Sequence, residues 1–119
     1  MLNLPIYLAM TGFAVMGIGA MVLPMRVTAQ FDIPNLTVSG KNEIRAVYGG
    51  FGLAMAIVLL IAIEQPALRA GILLAVAASL GGMATGRVIS AFVDRTIGKW
   101  PLFYLLLEII LSSLLIIAI

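Results

Sequence analysis

Four apolar runs, each about as long as a bilayer is thick, constrain this chain more than any other feature. They cover residues 4–23, 42–63, 67–93 and 101–119. A helix rises about 1.5 Å per residue, so roughly 20 residues cross a hydrocarbon core. Lipid offers the backbone no hydrogen-bond partners, so such runs must satisfy themselves as helices. Only 10 % of the residues are charged, against roughly 25 % in soluble domains, which is too little to keep a water-facing bundle dissolved. The reading is an all-α, integral membrane four-helix bundle, one membrane domain over residues 1–119. The lipid bilayer is its first partner.

The first run has no Lys or Arg ahead of it, which favours a retained span over a cleaved signal peptide. Residues 24–41 form the longest polar stretch, and Pro24, Pro34 and Gly40 argue against a long helix there. Its apolar residues, as in FDIPNLTV, predict a loop that lies on the membrane surface or caps the bundle. Asn42 is the expected N-cap of the second span, with Glu43 in its first turn. A short linker around Pro66 makes the second and third spans antiparallel neighbours. Trp100 and Pro101 mark the interfacial start of the last span. Basic residues then set orientation. Arg26, Lys41, Arg45, Arg95 and Lys99 flank the first and third loops, against Arg69 alone at the other end. This bias predicts a multi-pass membrane protein with those loops cytoplasmic and both termini on the opposite side of the membrane.

Two charges interrupt the apolar runs. Arg87 lies seven residues before Asp94, and Glu108 lies eight after Trp100. Both therefore sit roughly 10–12 Å inside the same edge. Lone charges at such depth are costly, which predicts that they face each other. Tyr104 shares the Glu108 helix face, as does Ser112. Asn42, Glu43, Arg45, Tyr48 and Asp94 gather at the same membrane edge. This cluster is either a pocket for a lipid headgroup, small anion or proton, or an ion-pair network that fixes helix order. Small residues, namely Ala78, Gly82, Gly86 and Ser90 on the third span and Gly49 on the second, predict faces where another helix can approach closely.

Other chemistry lacks its residues. With no His and no Cys, the usual zinc, haem and thiol sites are excluded, as is a hydrolase triad. The Met residues read as packing, without the tight cluster that copper needs. No cofactor or metal is expected, and the evenly spread charge makes nucleic acid a poor partner.

The stretch NEIRAVYGGFGLA, the GR of ATGRVIS with Asp94 after it, and the Glu of LLLEIIL together resemble the bacterial domain-of-unknown-function family 4345. The motif NExRxxYGG is matched by Asn42, Glu43, Arg45, Tyr48, Gly49 and Gly50. The likeness runs from Asn42 onward, and the first helix and loop match only in type. It implies a small protein with four membrane helices and a shared polar cluster. It implies no reaction. Two functions are therefore expected: a structural or accessory subunit associated with other membrane proteins or with copies of itself, or a membrane protein that binds a lipid or small anion, a minor transporter or membrane enzyme among them.

Overall fold

The computed structural model describes residues 3–119, and every regular element among them is helical. In chain order these are α1 (Leu4–Val22), α2 (Pro24–Ala29), α3 (Val38–Ile44), a π-helical turn (Arg45–Gly50), α4 (Phe51–Glu64), α5 (Pro66–Asp94) and α6 (Lys99–Ala118). Four helices are long and apolar enough to cross a membrane, and α3, the π turn and α4 make up one of them, Val38–Glu64. Only 22–33 % of each most apolar window is buried within the chain. Residues such as Val15, Ile18, Phe92, Val93 and Ile117 point outward, each more than half exposed. Helices that turn apolar sides outward in this way suit lipid rather than water.

Proline sets two of the breaks. Leu23 and Gln65 precede Pro24 and Pro66, and both leave helical geometry at that point. The ring of a following proline disfavours the α conformation, and Pro then fits the first turn of the next helix. α5 stops where Arg95 turns left-handed, at φ 58°. The second span starts earlier than Asn42, correcting the expected cap. Thr37 is extended, and its Oγ1 accepts a hydrogen bond from the Gly40 N–H at 3.0 Å. Thr37 therefore caps the helix, and Gly40 and Asn42 lie inside it.

The spans form an up-and-down ring in which α1 packs on α4, α4 on α5, α5 on α6, and α6 on α1. Every neighbour is antiparallel. One end carries the α1–α2–α3 connection and the α5–α6 turn, and is called here the loop end. The other end carries Asn3, Gln65 and Ala118. The packed core lies toward this second end, built from Ile6, Ala9, Leu59, Ala62, Leu73, Val76, Leu111 and Leu115. There Arg69, 6 % exposed, donates from Nε and Nη2 to the Ala118 carbonyl and from Nη1 to Asn3 Oδ1. A cation at the negative end of α6 satisfies a carbonyl that has no partner inside its own helix.

α1 and α4 meet backbone to backbone. A Cβ on Gly17 would lie 2.8 Å from the Leu53 nitrogen, and one on Gly52 would lie 2.9 Å from the Phe13 carbonyl oxygen. This is the close approach that small residues permit in lipid. Gly49 belongs to the same seam and is buried against Met21. Ala78, Gly82, Gly86 and Ser90 do not. All four are exposed, and a Cβ on Gly82 or Gly86 would meet nothing within 4 Å. The chain uses its small residues on α1 and α4 for internal packing and leaves the α5 set facing outward.

Candidate functional site

The polar cluster lies in the loop-end half, beyond the apolar core. Arg87 comes from α5 and Glu108 from α6, the two helices joined by the short loop-end turn. Arg87 Nε donates to Glu108 Oε1 at 2.8 Å, and Nη2 donates to Oε2 at 3.1 Å. The pair is thus a two-point fork, the arrangement in which guanidinium and carboxylate planes match. The two partners differ in environment, since the Glu108 side chain is 8 % exposed and that of Arg87 is 25 % exposed. Two guanidinium N–H groups are used on Glu108. The other three have no acceptor among the described residues.

Tyr104 lies one turn before Glu108 and beneath the guanidinium, with its ring centroid 5.6 Å from Arg87 Cζ. This is cation–π distance. Its hydroxyl donates to Gln30 Oε1 at 2.7 Å, and Phe31 packs on its ring at 5.7 Å. The segment after α2 therefore closes over the start of α6. Trp100 and Phe103 extend the aromatic group along α6. Ser112, one turn past Glu108, donates to the Ala77 carbonyl at 2.8 Å and ties α6 to α5 at mid-height.

Beside Arg87 the bundle opens. A cleft of about 540 Å³ is walled on one side by Tyr48 of the π turn. On the other side it is lined by Arg87, Ser90 and Asp94 of α5 and by Thr96 and Gly98 of the turn. Met83 and Gly86 lie along its deeper part. The cleft is open to the surroundings rather than enclosed. Tyr48 lies within the π winding. The Phe51 N–H reaches back five residues to the Ala46 carbonyl, and this wider turn carries one residue more than α winding. Such turns recur at functional sites.

The expected cluster is thus divided. Arg87 contacts both Glu108 and Tyr104, and Tyr48, Ser90 and Asp94 share the cleft with Arg87. Arg45 points elsewhere, donating from Nε to the Met21 carbonyl at 3.1 Å. It caps the end of α1, where a cation suits the helix dipole. Asn42 and Glu43 are exposed and form no side-chain hydrogen bond among the described residues. Three members of the NExRxxYGG motif therefore serve three purposes: Arg45 caps α1, Tyr48 walls the cleft, and Gly49 admits α1. Gln30 and Phe31 belong to the site although the sequence reading did not single them out. An aromatic within a polar loop was the one available sign for Phe31, and Gln30 had none. Among the described residues no group of three or more acidic, His or Cys side chains could hold a metal ion.

A search of curated proteins gives no match, and no solved structure matches. The family model described as Domain of unknown function (DUF4345) matches residues 1–119, so the likeness includes the first helix and loop as well as the motif region.

Proposed function

We infer that this chain, which belongs to the DUF4345 family of unknown function along its whole length, is a multi-pass membrane protein that holds a phosphate-bearing headgroup or small anion in the cleft beside Arg87. The supporting observation is Arg87 itself. Glu108 fixes the guanidinium in place and leaves three of its N–H groups uncommitted next to a cleft of about 540 Å³. A guanidinium held in this way is pre-organised for phosphate oxygens, and Tyr48, Ser90 and Thr96 add hydroxyls around it. The basic bias of the loop end supports a cytoplasmic orientation for the leaflet that would hold the cleft.

The test fills the cleft at positions the fold does not need. Gly86 and Ser90 are exposed, so Gly86→Leu and Ser90→Leu leave the bundle intact and occupy the space. Phospholipid retained per chain after detergent washing should fall in both variants. Retention unchanged from wild type would refute the reading.

A second reading, an accessory subunit of a larger membrane assembly, is supported by the outward small-residue face of α5. Gly82 lies on that face outside the cleft lining. Gly82→Leu separates the two readings, because it blocks a docking helix while leaving the headgroup site open. A loss of native mass in mild detergent with lipid retention unchanged would favour the subunit reading.

A further inference from the structure

The charges lining the cleft say more about the occupant than that it carries phosphate. Arg87 is neutralised by Glu108, and Asp94 adds a carboxylate at the rim that enters no ion pair among the described residues. The walls therefore present uncommitted guanidinium donors and one carboxylate outside any ion pair among the described residues. A purely anionic ligand would gain hydrogen bonds from Arg87 but meet repulsion from Asp94. A simple cation would be drawn to Asp94 and leave the guanidinium unused. A ligand that carries both charges in the right order matches both walls.

The order and spacing follow from α5. Arg87 and Asp94 are seven residues apart, about two turns, so they share a face with roughly 10 Å of axial separation. Asp94 ends the helix at the cleft mouth, and Arg87 lies deeper. We propose that the cleft binds a phospholipid whose headgroup ends in a primary amine, with its phosphate on Arg87 and its ammonium on Asp94. Both groups line the one cleft, so a headgroup that carries phosphate and ammonium can meet each of them. An ammonium donates hydrogen bonds to a carboxylate, whereas a trimethylated amine cannot. Such an amine is instead held by a cage of aromatic faces, and Tyr48 is the one aromatic residue lining this cleft. A serine headgroup would bring a second carboxylate toward Asp94.

This inference rests on the headgroup reading above, and the experiment separates the two. The full chain is placed in nanodiscs of phosphatidylcholine doped with phosphatidylethanolamine or phosphatidylglycerol of the same acyl chains. Lipid retained on ejection is then counted by native mass spectrometry. Glycerophosphoethanolamine is added as a soluble competitor. Phosphatidylethanolamine should be retained about tenfold or more over the other two lipids, the factor set by one hydrogen bond between charged groups. Asp94→Asn, an exposed change that spares the Arg87–Glu108 pair, should remove that preference while phospholipid is still held. Asp94→Lys should turn the preference toward phosphatidylglycerol. Equal retention of all three lipids by the wild type would overturn the amine assignment and leave the headgroup reading standing. No retention above that of the Gly86→Leu variant would overturn both. Displacement by glycerophosphoethanolamine at concentrations matching the lipid would overturn the lipid as ligand in favour of a soluble zwitterion.

Discussion

Separating Arg87 from Glu108 should be the most damaging polar change in the bundle, and the two halves of the pair should not cost the same. Glu108 is 6 % exposed and receives both of its side-chain hydrogen bonds from one guanidinium. Arg87→Met strands that carboxylate without a partner, a situation that costs roughly 3–5 kcal/mol. Loss of the Tyr104 contact adds about 0.5–2 kcal/mol. Glu108→Leu should cost less. Its stranded partner is a quarter exposed and can turn into the cleft, leaving about 1.5–3 kcal/mol for the lost charged hydrogen bonds. The double variant removes the stranding from both sides, because an apolar pair of similar size can replace a buried ion pair at little cost. It should therefore be more stable than Arg87→Met alone, by about 2 kcal/mol or more, a coupling within the range seen for residues in contact. Reversible unfolding in mixed detergent micelles, followed by the fluorescence of the single Trp100, supplies all four stabilities. An Arg87→Met cost below about 1 kcal/mol would refute this account of the pair, as would single costs that add in the double variant to within about 0.5 kcal/mol.

Four further outcomes follow from the packing and the caps. Gly17→Ala and Gly52→Ala should each destabilise by about 1–3 kcal/mol in the same unfolding assay, because the added methyl meets backbone atoms that can yield only if α1 and α4 separate. Gly82→Ala, with open space around it, should be neutral or slightly stabilising. Arg69→Leu should fray the end of α6, raising amide exchange over its last turn, since the Ala118 carbonyl loses both donors. Tyr104→Phe should cost about 1 kcal/mol and loosen residues 30–36 to limited proteolysis, since the bond to Gln30 is lost while the ring contacts remain.

The span count was legible because lipid requires long apolar helices, and the sequence writes them out as runs. Rise per residue converts position into height along a helix, which set Arg87 and Glu108 level with each other, and the two side chains pair. Tyr104 followed from its place one turn before Glu108. The start of the second span was not legible. Thr37 and Asn42 are both acceptable caps, and the choice depends on backbone geometry at Thr37. Which small residues would meet inside the chain was equally hidden. Gly and Ala occur on α1, α4 and α5 alike, and only the tertiary arrangement puts Gly17 against Gly52 rather than placing Gly82 and Gly86 inside. Arg45 seemed to belong with the Arg87 and Glu108 charges because it lies toward the same end of the spans. Height says nothing of azimuth, and its side chain turns to α1 instead.

The wide turn at Arg45–Gly50 has one more consequence. Each residue of an α-helix turns the chain by about 100°, so losing a single residue ordinarily rotates everything beyond it away from its neighbours. A segment already wound with one residue to spare is slack in the line. Deleting one residue from it would let the turn tighten to α winding, with Gly52, Leu59 and Ala62 still facing the bundle and Tyr48 turned from the cleft. The same deletion within Phe51–Glu64 would swing that seam out toward lipid. The wide turn therefore uncouples the two halves of the second span, so the wall of the cleft can change in length and aim while the packed half keeps its phase.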